Sequence, residues 1–175
     1  MTTISTLISY GVPEKIAKKV RSRIGYGTEG AVYDIGNDKV LKVNVMANTR
    51  RHDVNSLYSK IKGKTWAAPM GAHGSLNGRG FWYVAPRLYE LPRKLRSLLD
   101  DIGMMTIRHA RGSITKSVFE AYVHDRLESM PPKMAKVVRA ARRAGYLDLH
   151  GKNVMMTKAG SFKLIDVESI QRGRR

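Results

Sequence analysis

The chain contains no cysteine, which excludes disulfides and thiolate-held metals and makes a reducing compartment the simplest setting. Carboxylates are scarce: Asp and Glu number 14 against 32 Lys and Arg, a formal net charge of +18. No apolar run reaches the roughly 20 residues that a membrane-crossing helix needs. Residues 1–10 also lack the basic start and long apolar stretch of a secretory signal. A soluble, cytoplasmic protein without a membrane partner is therefore expected. The five histidines, His52, His73, His109, His124 and His150, show no H-x-x-x-H spacing, so zinc is not expected. No internal repeat or low-complexity tract is visible.

Apolar residues make up 42% of the 175 positions. That suffices for a core and fits one compact domain or two small lobes sharing a cleft. The cationic surplus favours polyanionic partners such as nucleic acid, ATP or acidic proteins.

Ile4, Leu7 and Ile8 form a short helical pattern that Gly11-Val12-Pro13 interrupts. Pro13 and Glu14 suit the first turn of a second helix with Ile16, Ala17 and Val20 on one face. Ala31-Val32-Tyr33 and Lys39 to Val43 are β-rich runs around turn residues Ile35 to Asp38, predicting a hairpin. Residues 48–62 read as a helix stopped by Gly63, and Thr65 to Leu88 as a second hairpin. Helices are predicted over Pro92 to Ile102, Ile114 to Met130 and Lys133 to Ala144. Two short strands, Asn153 to Met156 and Phe162 to Ile165, flank a turn at Lys158 to Gly160. Strands followed by helices predict an α+β fold.

Three motifs carry chemistry. Gly25-Tyr26-Gly27-Thr28-Glu29-Gly30-Ala31-Val32 spells G-x-G-x-x-G-x-V inside the expected hairpin. Glycines there let backbone N–H groups approach phosphate without side-chain clash. Lys42 follows Gly30 by twelve residues on the next strand; it is placed to meet phosphates, or else is an ordinary edge-strand lysine. Leu147-Asp148-Leu149-His150-Gly151-Lys152-Asn153 sets an Asp and an Asn five apart, and Asp166 follows an apolar run thirteen residues after Asn153. Side-chain oxygens on neighbouring loops suit a hard cation.

In this order the motifs resemble the protein-kinase-like superfamily from Gly25 to Glu168. Asp148-Leu149-His150 and Asp166-Val167-Glu168 resemble the D-L-H and D-x-E of aminoglycoside and choline kinase relatives. The D-x-H-x-x-N-x-M spelling and short layout also resemble serine/threonine kinases of tailed bacteriophages. The resemblance implies a minimal two-lobed fold: a helical segment 1–24, a β-rich nucleotide-binding lobe 25–90 and a truncated helical lobe 91–175. It implies ATP and Mg2+ as ligands, with ATP between the lobes. Gly25, Gly27, Gly30 and Val32 would cover the nucleotide and Lys42 would anchor its phosphates. Asn153 and Asp166 would hold magnesium, and Asp148 would act as the catalytic base toward a Ser or Thr hydroxyl. The phage likeness implies host proteins as substrates. Tyr146 stands where the kinase motif has His. No Glu lies between Lys42 and Tyr89, so Asp53 is the candidate partner for Lys42.

Other features admit other readings. Lys133, Lys136, Arg139 and Arg143 in an acid-free run are candidate contacts for nucleic acid or an acidic protein, or a solvated helix face. The tail Gln171 to Arg175 could add nonspecific anion affinity. The helical pair from Ser5 to Arg23 could be a helix-turn-helix or a packing element. Trp66, Trp82 and Tyr83 read as packing residues. A binding module with vestigial or inactive kinase motifs is the alternative function.

Overall fold

Two consecutive residues with positive φ, Asn37 (53°) and Asp38 (51°), turn the chain back on itself. A two-residue loop of this kind matches the twist of an antiparallel ribbon, and here it joins β2 (Gly30–Gly36) to β3 (Lys39–Asn44). The computed structural model describes residues 4–27, 30–45, 54–78, 80–146 and 148–165. Asp53, Asp166 and the basic tail lie outside them, as do residues 48–53 of the expected third helix. The chain divides into two compact units, Met1–Lys64 with Pro69–Arg87, and Thr65–Ala68 with Leu88–Arg175.

The first unit carries an antiparallel sheet ordered β1-β2-β3-β5-β4, with β1 at Ser22–Tyr26, β4 at His73–Ser75 and β5 at Phe81–Pro86. Period-two alternation assigns Ala31, Tyr33, Ile35, Leu41, Val43 and Trp82 to one face. They pack with Leu7, Val12, Ile16 and Ala17 in one cluster, so the N-terminal residues belong to this unit's core. Helix α1 (Ile4–Ser9) supplies Leu7, and α2 (Glu14–Ala17) supplies Ile16 and Ala17. The second helix is shorter than expected: Arg21 N–H donates to the Asp34 carbonyl at 2.9 Å, drawing the chain into the sheet. Arg23 therefore sits on a strand, and a four-residue helix provides no recognition helix, so the helix-turn-helix reading is corrected. Helix α3 (Val54–Ile61) buries Val54, Leu57 and Ile61, and Gly63 follows it with φ 72°.

The second unit contains α4 (Arg93–Ala110), α5 (Lys116–Glu128), α6 (Pro132–Arg143) and a hairpin of β6 (Val154–Met156) with β7 (Phe162–Leu164). Helix α5 is capped by Thr115, whose hydroxyl accepts from Val118 N–H. Helix α6 opens with Pro132, where a missing N–H costs nothing. Buried Leu99 and Ile102, Phe119, Val123 and Leu127, and Met134, Val138 and Ala141 give each helix an inward stripe. Helix α4 continues past the expected end at Ile102 to Ala110, and Gly103 within it is a close-approach glycine, since a Cβ there would stand 2.8 Å from the Leu149 carbonyl. Thr65 to Ala68 also departs from expectation. It belongs to this unit and not to the second hairpin: Leu164 N–H donates to Trp66 O, and Ala68 N–H to Leu164 O, both at 2.8 Å.

Packing separates the hairpin glycines. A Cβ on Gly30 would lie 2.0 Å from the Val43 carbonyl oxygen, whereas one on Gly27 meets no described atom within 4 Å. Gly30→Ala is expected to destabilise the chain by about 1–3 kcal/mol through overpacking, and Gly27→Ala to change stability by less than about 0.5 kcal/mol. Urea unfolding of both variants checks this; equal losses would contradict it.

Candidate active site

In the first unit, strand register gathers several of the residues singled out by motif. Gly25 pairs with Val32, Val32 with Lys42, Lys42 with Tyr83, and Tyr83 with His73. Directly opposed residues share a face of an antiparallel sheet, so these five form one transverse row across all five strands. By alternation the row lies opposite the face that carries Tyr33, Leu41 and Trp82. Val32 and Lys42, which come from separate motifs, are thus neighbours, and Gly25 adjoins them. Tyr83 and His73 complete the row and were not singled out as site residues.

Lys42 is half-buried on β3, the central strand of the sheet. The edge-strand reading is therefore corrected. Its Nζ lies 5.9 Å from the Tyr83 ring centroid, within cation–π range. A cation on a central strand gives up hydration, which an ordinary solvated lysine does not. Trp66 and Trp82 are buried, which matches their reading as packing residues.

The second unit holds the Asp148–Asn153 loop. Asn153 is 4% exposed. Its Nδ2 donates to the Asp148 carbonyl at 3.0 Å, the Asp148 carboxylate Oδ2 at 3.1 Å and the Tyr146 hydroxyl at 3.2 Å. One amide group thus fixes both the backbone and the carboxylate of Asp148. Asn153 N–H donates to His150 O and accepts Ile165 N–H at its carbonyl, at 2.9 and 2.8 Å. The Tyr146 hydroxyl donates to Ile165 O at 3.4 Å. Ile165, which directly precedes Asp166, is therefore tied to the loop from both sides of its backbone.

The loop also rests on α4. Gly151 N–H donates to Asp100 Oδ1 at 2.8 Å, and a Cβ on Gly151 would meet Arg96 atoms at 2.8–3.0 Å. Gly151 is thus a close-approach glycine. His150 Nδ1 accepts from Lys152 N–H at 3.2 Å. A neutral ring then carries its proton on Nε2, which lies 3.6 Å from Asp148 Oδ1. The Asp148 side chain is 51% exposed. It is held by Asn153 and flanked by His150, yet remains open to solvent.

Tyr146 and Asp100 are the residues that motif reasoning undervalued. Tyr146 marks a departure from the kinase motif, and its full burial and two hydroxyl contacts give it a bridging role. Asp100 has no local signal, since its partner is fifty-one residues away.

The basic candidates on α6 are not equivalent. Lys133, Lys136 and Arg143 are exposed, whereas Arg139 is paired with Glu128 at 3.0 Å. Neighbouring Arg142 is paired with Glu120 at 3.1 Å and covers the Phe119 ring. Among the described residues no group of three or more His, Cys, Asp or Glu converges as a metal site, and no helix is long and apolar enough to cross a membrane.

No protein-family model matches the chain, and no curated protein matches it in sequence.

Removing the Tyr146 hydroxyl takes one partner from Asn153 Nδ2 and one from Ile165 O. Tyr146→Phe is expected to cost about 1–3 kcal/mol, the range for stranding buried polar groups. Thermal denaturation measures it, and an unchanged midpoint would show that the bridge contributes nothing.

Proposed function

We propose that this chain is a minimal kinase-like phosphotransferase that moves the γ-phosphoryl group of ATP to a Ser or Thr hydroxyl. The observation that carries the reading is the amide of Asn153, whose Nδ2 holds both the carbonyl and the half-exposed carboxylate of Asp148. In this reading Asp148 is the base and Asn153 a cation ligand, two side chains five residues apart. The first unit supports the same reading through its architecture. A five-stranded antiparallel sheet carries a glycine-rich hairpin and a lysine on β3, and α3 is the next described element after that strand, an order of parts that kinases share.

The residues have separable tasks. Gly25 and Gly27 leave the hairpin without side-chain bulk, and Lys42 supplies positive charge toward phosphate oxygens. Asp148 accepts the hydroxyl proton as the acceptor oxygen bonds to the γ-phosphorus; the bond from that phosphorus to its bridging oxygen breaks, and ADP leaves. His150 and Asn153 keep the Asp148 carboxylate in place during this transfer. Hard oxygen donors from Asn153 and Asp166 suit magnesium, an ion that takes few protein ligands and completes its shell with phosphate oxygens and water. Bound magnesium would offset the negative charge that repels an incoming nucleophile. Positioning and charge neutralisation are the main sources of rate. The phage likeness makes host proteins the proposed acceptors, in the cytoplasm.

The purified chain should label itself or proteins of a bacterial lysate when given γ-labelled ATP and magnesium. Asp148→Ala should lower labelling at least a hundredfold, in keeping with the usual worth of general-base catalysis, with ATP binding retained. Equal labelling by the variant would refute the catalytic assignment. Absence of labelling by the wild type, together with absence of ATP binding, would favour the alternative: a basic module acting on nucleic acid or an acidic protein, as the net charge of +18 suggests.

A further inference from the structure

Among the described residues strand β1 is an edge strand that pairs only with β2. Its residues Ser22–Tyr26 are exposed apart from half-buried Gly25. Ile24 keeps 43% and Tyr26 79% of its surface in solvent. A cationic stretch runs up to and into it: Lys15, Lys18, Lys19, Arg21 and, on the strand, Arg23 are all exposed, and no carboxylate occurs from Lys15 to Gly27. The Lys18–Glu14 pair at 2.7 Å is open to water on both sides, so it offsets little of this charge. The Arg23 guanidinium lies 5.4 Å from the Tyr26 ring centroid, so charge and apolar surface alternate along one short edge.

An edge strand offers unpaired backbone donors and acceptors to any extended chain, and proteins blunt such edges with charge and bulges. Both devices occur here, since the β1–β2 register shifts between Arg23 and Gly25. Cationic blunting is selective, however. A second copy of this chain would bring the same cations against each other, whereas an acidic strand would be attracted.

We propose that β1 is a docking edge for an extended acidic segment of a partner protein. The segment adds a strand beside Ser22–Tyr26 through main-chain hydrogen bonds. Its carboxylates meet Lys18, Lys19 and Arg23, and its apolar side chains cover Ile24. The docking edge stands whether or not the chain transfers phosphate, because none of these cations is assigned a part in that chemistry.

The full chain can be titrated with a fluorescein-labelled peptide alternating glutamate with valine, beside a peptide of equal charge with proline at alternate valine positions. Saturable binding is expected for the first, at least tenfold weaker binding for the second. The triple variant Lys18→Glu, Lys19→Glu, Arg23→Glu should also bind at least tenfold more weakly at an unchanged melting temperature. Equal binding of the two peptides would reduce the effect to charge and overturn strand addition, as would binding of neither. Duplex DNA bound in preference to the peptide, and lost in the same variant, would overturn the protein partner.

Discussion

The side-chain amide of Asn153 is the contact on which the candidate site depends. It is buried, and a buried amide is stable only when its hydrogens have acceptors. The acceptors here are the carbonyl and carboxylate of Asp148 and the hydroxyl of Tyr146. The desolvation requirement of one residue thus fixes the direction of another. Tyr146 relays the constraint to Ile165, and Asp100 holds the loop against α4 through Gly151. Helix, loop and terminal hairpin share one hydrogen-bonded centre, and exposed Asp148 is its only carboxylate still open to solvent on the loop itself.

A comparable economy governs the first unit. Burying Tyr33, Leu41 and Trp82 on one face fixes the register of the central strands, because a one-residue slip would expose that face. The same register aligns Gly25, Val32, Lys42 and Tyr83 across the other face. Core packing therefore sets the position of the proposed phosphate-facing residues through strand register. Gly30 belongs with the packing side of this division, since the Val43 carbonyl occupies the space a side chain would need.

Local chemistry made much of this legible. The turn at Asn37 and Asp38, the helix expected from Lys133 and the two terminal strands follow from short-range preferences, and so were visible in the residues themselves. The Asp148–Asn153 spacing was visible too, as a motif. Long-range contacts account for the differences. Gly103 sits inside α4 where the carbonyl of distant Leu149 leaves no room for a Cβ, Arg21 leaves its helix for a bond to Asp34, and Thr65 to Ala68 joins the second unit through β7. Tyr146 read as a missing histidine because its role lies in a partner nineteen residues ahead. Asp53 and Asp166, chosen from the motif alone, lie outside the described residues.

The central claim is that this loop serves a magnesium-bound nucleotide. Calorimetric titration of the wild-type chain with ATP, once with magnesium and once with excess chelator, tests it most directly. The account predicts binding that tightens at least tenfold with magnesium, and an Asn153→Ala variant in which the metal makes little difference. ATP binding that ignores magnesium in the wild type, or no ATP binding under either condition, would contradict it.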